Sequence, residues 1–282
     1  MKDFNGRVAA ITGAGSGIGR ALARDLSRRG CHLSLSDVDE EGLAETVLLC
    51  ERAGVNVRPA TLDVADRDAV FAWADSVVTD HGQVNLVINN AGVGLAATAI
   101  GQSIDDFEWL MSINFWGVVH GTQAFLPHLR NTGDGHIVNI SSVFGLVSIP
   151  NQSAYNASKF GVRGFTDSLR MELEIDPCGV SSTTIHPGGI KTNIARSARI
   201  DESVIVGGTD PAGMVDDFDR MARTTPDKAA RQVLKAVERN RRRALIGPDA
   251  VVYDVASRLP AMLYQRFLVA TIKRDRARRS TT

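Results

Sequence analysis

RVAAITGAGSGIGR, residues 7–20, decides how the rest of the chain is read. Its first half, RVAAIT, is a short and nearly continuous apolar run, the pattern of a strand covered on both faces. Its second half places glycines at 13, 17 and 19 and then opens a helix. Glycines there let the backbone turn tightly. They also leave the free amides of a helix N-terminus open to an anion such as a pyrophosphate. The spacing is GxxxGxG rather than GxGxxG, and a glycine-rich turn of this kind also occurs in strand–helix turns that bind nothing.

Outward from that unit, strand patterns recur at HLSLSD (32–37), VNVRPATL (55–62), VNLVIN (84–89), HIVNIS (136–141), VSSTTIH (180–186) and RALIG (243–247), with helical stretches between them. Ser103 followed by Asp106 marks a helix start ahead of FEWLMSINFWGVVHGTQAFL, and Thr225–Pro226 marks another. Strand and helix alternating in this way predict an α/β fold, with a mostly parallel seven-stranded sheet, doubly wound with helices on both faces. We expect one catalytic domain over residues 1–248 and a helical extension with a basic tail over 249–282. Residues 193–224 hold a GG, a DP and no periodicity, and are expected to form a substrate lid. Pro260 is expected to kink or divide the helical stretch 249–274.

The 282 residues are 44% hydrophobic and 23% charged, with formal net charge zero. That composition is globular, and it supplies no electrostatic reason to bind nucleic acid. Cys31, Cys50 and Cys178 are scattered without CxxC spacing, and the six histidines show no paired ligand spacing. Neither a disulfide framework nor a metal is expected. No leader-like or membrane-spanning apolar run appears, so the expected location is the cytoplasm. No GxSxG elbow is present, which argues against a serine hydrolase.

Asp37 ends the second strand, twenty residues after Gly17. A carboxylate there accepts hydrogen bonds from both ribose hydroxyls of an adenosine and repels a 2′-phosphate. No basic residue sits beside it in SDVDEEG, and Ser16 stands where a basic residue could grip that phosphate, so NAD is favoured over NADP. Either Asp37 or Asp39 also reads as a cap for the next helix, a role that suits Asp39 better than Asp37. Farther on, SAYNASKFGV (153–162) places Tyr155 and Lys159 four apart, on one face of a helix. Alone, such a pair is usually a lysine stem packed on a ring. Ser142, however, ends a candidate strand thirteen residues earlier, where ligands bind in sheets of this kind.

Together TGAGSGIG (12–19), DV (63–64), NNAG (89–92), Asn114, Ser142, YNASK (155–159) and HPGGIKT (186–192) resemble the short-chain dehydrogenase/reductase family, in its order and spacing. The resemblance covers about residues 5–190 and extends more loosely to the strand at 243–247. It implies Tyr155 as general acid/base, Ser142 orienting the substrate oxygen, Lys159 holding the nicotinamide ribose, and Asn114 supporting a water-linked proton relay. It further implies a cofactor site of Gly13, Ser16, Gly17, Ile18, Gly19, Asp37, Asp63, Val64, Asn90, Ala91, Gly92, Pro187, Gly188, Ile190 and Thr192, with Tyr155 and Lys159. Asp63 would meet the adenine, and Ile190 and Thr192 the nicotinamide amide.

The expected reaction interconverts a secondary alcohol and a ketone with NAD. A lysine cation about 5 Å from the phenol, at an effective dielectric near 20, lowers its pKa by about two units, with burial opposing. Leu95, Phe144, Leu146, Ile149 and Ile194 suggest a hydrophobic small-molecule substrate, though such residues also serve as plain core. The alternative is a nucleotide-binding regulatory protein that keeps the fold without chemistry. The apolar residues between Val251 and Ile272 are expected to pack on the protein or on a neighbouring subunit of a homodimer or homotetramer; contact with an anionic membrane surface is the less favoured reading.

Overall fold

A computed structural model describes residues 1–206, 213, 216, 218, 220 and 222–279 of the chain. Seven parallel strands form one sheet: β1 (Val8–Thr12), β2 (His32–Asp37), β3 (Val57–Thr61), β4 (Leu86–Asn89), β6 (Gly135–Ile140), β7 (Val180–Pro187) and β9 (Arg243–Ile246), in the order β3-β2-β1-β4-β6-β7-β9. The sheet expected from the sequence is present, each strand within two residues of its expected position.

The apolar runs are continuous because both faces are covered. Along β1, Ala9 and Ile11 join a core with α1 (Gly17–Arg28), α2 (Glu40–Glu51) and α8 (Pro226–Glu238). Val8 and Ala10 join a second core with α3 (Arg67–His81), α5 (Gly117–Thr132) and α6 (Ser153–Ile175). Side chains alternate across a strand, so one run of sequence feeds two cores. Cys31 and Cys50 are fully buried in the first, where burial pushes the Cys31 thiol up to about 12.

Helix starts follow the side chains that satisfy their free amides. Asp39 Oδ1 accepts from Gly42 N at 3.1 Å to begin α2, and Asp66 Oδ1 from Ala69 N at 3.0 Å to begin α3. Ser103 Oγ accepts from Asp106 N at 3.0 Å, starting α4 (Ile104–Met111) as expected. The single long helix read after Ser103 is instead three pieces, with a π-helical turn at Ser112–Trp116 between α4 and α5. Such turns carry one extra residue and recur at functional sites.

A small sheet pairs β5 (Leu95–Ala96) with β8 (Arg199–Ile200), ahead of α7 (Glu202–Val206). It holds the described start of the expected lid: the Arg199 guanidinium lies 3.5 Å above the Trp109 ring and 2.7 Å from Asp106. The remainder of that lid, 207–212 with 214, 215, 217, 219 and 221, lies outside the described residues. Beyond the sheet come α9 (Pro248–Ser257) and α10 (Ala261–Arg279), separated at Pro260. No helix among the described residues is long and apolar enough to cross a membrane.

Candidate active site

All seven strands run the same way, so the ends of β1, β4, β6 and β7 open on one edge of the sheet. β1 lies between β2 and β4, the point where strand order reverses and a crevice forms. Here the NNAG stretch is tied to the glycine loop. Thr12 Oγ1 accepts the N–H groups of Asn90 and Ala91, both at 3.0 Å, and Asn90 Nδ2 donates to the carbonyls of Thr12 and Gly13, both at 3.0 Å. Gly13 has φ +66°, and a Cβ on it would stand 2.8 Å from the Ala91 backbone, so glycine is required twice over.

The start of α1 is left open. Ser16 is exposed in its N-cap position and makes no side-chain cap, and the first turn carries no acid. Ile18 is half-buried and Gly19 packs against the Gly13 carbonyl. Asp37 comes to the same loop: its Oδ2 accepts from Gly15 N at 2.7 Å and its Oδ1 from Asp39 N at 3.0 Å. Arg20 braces the loop from behind, donating to the carbonyls of Gly15 and Gly42 and pairing with Glu45 at 2.9 Å. Asp63 is exposed beyond β3, its Oδ1 accepting from Ala65 N at 2.9 Å, and Val64 is buried against Gly117 of α5.

Asn114 sits at the centre of the π turn, fully buried, and its amide makes a matched pair with one backbone residue. Val93 N donates to its Oδ1 at 2.8 Å, and its Nδ2 donates to Val93 O at 2.9 Å. The turn therefore fixes the chain beyond Gly92, where an added Cβ would meet Asn114 Oδ1 at 3.1 Å and Lys159 Nζ at 3.5 Å. Lys159 is buried and donates to the Ile140 carbonyl at the end of β6, at 3.2 Å. Its Nζ stands 5.6 Å from the centre of the half-buried Tyr155 ring.

Burial decides both of their charges. It pushes the Tyr155 phenol up to about 12, against a downward pull from its hydrogen bond with Ser142, and it pushes Lys159 down to about 8. The net lowering expected for the phenol is therefore not found: desolvation sets the direction of its shift. Ser142 begins a 3₁₀ turn (Val143–Gly145), its Oγ accepting from Phe144 N at 3.1 Å. The Phe144 ring packs edge-on against Tyr155 and against Tyr253 of α9, at 6.3 and 6.2 Å between ring centres. Of the expected apolar lining, Leu95 and Leu146 are buried core, while Phe144, Ile149 and Ile194 keep partly exposed surfaces.

The turn after β7 completes the edge. Pro187 is buried, and Gly188 is half-buried. Ile190 sends its side chain into the first core and bridges Thr224 through its backbone. Thr192 reaches the glycine loop, where a Cβ on Gly17 would meet its Cγ2 at 3.1 Å. Three contributors were not read from the sequence. Thr12 stands in the sequence only as part of the strand and glycine motif. His186 Nδ1 bonds the Ser142 carbonyl at 2.8 Å. Asp249 Oδ2 accepts from Gly189 N at 2.6 Å. Only the Pro–acid helix start at 248–249 hints at the last, and it points to capping rather than to a contact 60 residues away.

The short chain dehydrogenase family profile matches residues 7–203. SadH of Mycobacterium tuberculosis, whose name calls it an oxidoreductase, is 47% identical over 273 residues, spanning 96% of this chain and 97% of its own. Dehydrogenase/reductase SDR family member 7B of Xenopus tropicalis is 34% identical, over 95% of this chain and 86% of its own. A short-chain dehydrogenase/reductase from Burkholderia phymatum, solved in complex with NAD, superposes with a TM-score of 0.83 at 33% identity, over 89% of this chain and 92% of that one.

Proposed function

The chain belongs to the short-chain dehydrogenase/reductase family, and from that premise we propose that it interconverts a secondary alcohol and a ketone with NAD. The observation that carries the proposal is the convergence of Ser142, Tyr155 and Lys159 where β6 ends and α6 begins, with Lys159 Nζ 5.6 Å from the centre of the Tyr155 ring and the Phe144 ring, two residues past Ser142, packed on that same ring. A protein that only bound a nucleotide would have no use for a buried cation beside a half-buried phenol.

The residues present fit a nicotinamide dinucleotide. The glycine loop has room only for hydrogens at Gly13, the amides at the start of α1 carry no side-chain cap, and Asp37 stands beside Gly15. Gly13, Ser16, Gly17, Ile18 and Gly19 would hold the pyrophosphate, and Asp37 the adenosine ribose. Asp63, Val64 and Asn90 to Gly92 would line the adenine side, and Pro187 to Thr192 the nicotinamide side. When bound, the cofactor supplies the two-electron hydride chemistry, which is its own.

The protein's part is proton handling and alignment. In alcohol oxidation, the phenol oxygen of Tyr155 takes the hydroxyl proton, and in ketone reduction it returns it. The Ser142 hydroxyl donates to the same substrate oxygen and fixes its distance from the phenol. Lys159 holds the ribose with N–H groups other than the one given to Ile140, and its charge stabilises the phenolate while the proton is away. Asn114, occupied at Val93, keeps the chain at Gly92 open for a water between Lys159 and solvent. A NAD preference is supported by the acid at position 37 and by the NAD complex of the Burkholderia relative. The substrate's remaining group is apolar, facing Phe144, Ile149 and Ile194, and the protein works as a homo-oligomer.

Absorbance at the NADH band, followed with a panel of secondary alcohols and ketones, tests the reading. Turnover of at least one apolar substrate is expected. NADH binding without turnover of any of them would leave a nucleotide-binding regulator in its place.

A further inference from the structure

The first turn of α9, beyond the last strand, reaches back to the turn after β7. Asp249 Oδ2 accepts the Gly189 N–H at 2.6 Å, and a Cβ on Gly188 would be driven into the same carboxylate. The opposite side of this turn is tied by backbone hydrogen bonds: Gly188 N donates to Ile246 O at 2.9 Å, Thr224 N to Gly189 O at 3.3 Å, and Lys191 N to Thr224 O at 2.9 Å. Among the described residues, Asp249 is the one side chain hydrogen-bonded to the backbone of Pro187–Lys191, and its bond is charge-assisted.

Its own position is over-determined. Gly247 adopts φ +95°, a conformation side chains rarely take, and turns the chain from β9 into α9; its N–H goes to Gln232 Oε1 at 3.1 Å. The tether leads on to the glycine loop, because Thr192, three residues past Gly189, lies against Gly17. A shift at Gly189 would thus be felt where the pyrophosphate would be held, and displacements near 1 Å are enough to matter for alignment.

We propose that Asp249 is a positioning residue of the cofactor site: through the Gly189 amide it sets the Pro187–Thr192 turn against the glycine loop, which makes α9 part of the working centre. The inference rests on the dinucleotide reading above.

Titration of the full-length protein with NADH, followed by fluorescence, tests it with Asp249→Ala and Asp249→Asn. Asp249→Ala is expected to raise the NADH Kd at least tenfold and to lower kcat, while the KM for alcohol changes less than threefold. Asp249→Asn, whose amide oxygen still accepts from Gly189, is expected to recover most of that affinity. A lower melting temperature for Asp249→Ala with unchanged NADH affinity overturns the proposal, since a purely structural role would give that result. Should Asp249→Ala not fold, Asp249→Glu replaces it. That variant keeps the charge but carries it one methylene too far, and a wild-type Kd there overturns the proposal as well. Failure of the underlying reading looks different. Wild type that does not bind NADH ends both, whereas binding without turnover ends the enzyme reading and leaves the Kd comparison decisive for Asp249.

Discussion

Tyr155 and Lys159, one turn apart on α6, are each driven toward the neutral form by burial: the phenol up to about 12, the ammonium down to about 8, with 5.6 Å between Nζ and the ring centre. A proton moved off the phenol thus leaves a phenolate whose nearby counter-charge is a lysine that gives up its own proton readily.

Tyr155→Phe removes only the oxygen that exchanges the proton. Turnover should fall about 10²- to 10⁴-fold, the usual share of a general acid/base, while the NADH Kd stays within threefold. Comparable kcat in the two proteins would remove Tyr155 from its role.

Lys159 makes stability depend on pH in the alkaline range. Its folded pKa lies below its unfolded value, so the unfolded chain binds the extra proton between pH 8 and 10.5, and stability rises with pH across that window. Below pH 8 the buried charge costs about 3 kcal/mol. Chemical denaturation of Lys159→Met should show a flatter profile there than wild type. Parallel profiles would mean that the ammonium is solvated in the native protein.

His186 acts at the acid end. Burial pushes it down to about 4, against the upward pull of the Ser142 carbonyl, so the folded form holds a neutral ring while the unfolded ring protonates near 6.5. The stability tied to neutral His186 is lost as pH falls from 6.5 to 4, by about 3 kcal/mol. Melting temperatures from pH 7 to 4 should drop less steeply in His186→Asn, and an equal drop would assign acid lability elsewhere, with His136, pushed down to about 3, the first to examine.

Asp37 has two tasks, the ribose and the Gly15 amide. We expect kcat/KM with NAD to exceed that with NADP at least tenfold, about 1.4 kcal/mol. Asp37→Asn, which keeps an acceptor for Gly15, should narrow that ratio mainly by losing ground with NAD. A wild-type preference for NADP would overturn the assignment.

Helix α10 bears on assembly. Of the two covers expected for its apolar face, the protein itself or a neighbouring subunit, the protein itself supplies little: among the described residues Leu259, Met262, Leu263 and Phe267 are 50–70% exposed, while Tyr264, Leu268 and Ile272 are half-buried. That leaves a neighbouring subunit as the expected cover. Met262→Glu with Phe267→Glu should lower the mass seen by light scattering. An unchanged mass, together with sedimentation of wild type on anionic vesicles, would favour a membrane surface.

Short-range periodicity and chain chemistry made part of this protein legible from its residues alone. Two-faced apolar runs marked the seven strands, glycines at 13, 17 and 19 marked the turn, and the four-residue step set Tyr155 beside Lys159. These depend on neighbours within a turn or a strand, so they survive without the fold. The rest depends on groups far apart in sequence meeting in a medium of lower polarity than water, and only the folded chain brings them together. The π turn exists around Asn114 because Val93, 21 residues away, offers it both an N–H and a carbonyl. The two-residue strands β5 and β8 carry too little pattern to be seen before they pair. The direction of the Tyr155 shift followed from depth of burial, which no spacing encodes, and it reversed a Coulomb argument built on distance alone. Asp249 met Gly189 because the glycine at 247 folded the chain back across the end of the sheet, and residues 60 apart became neighbours.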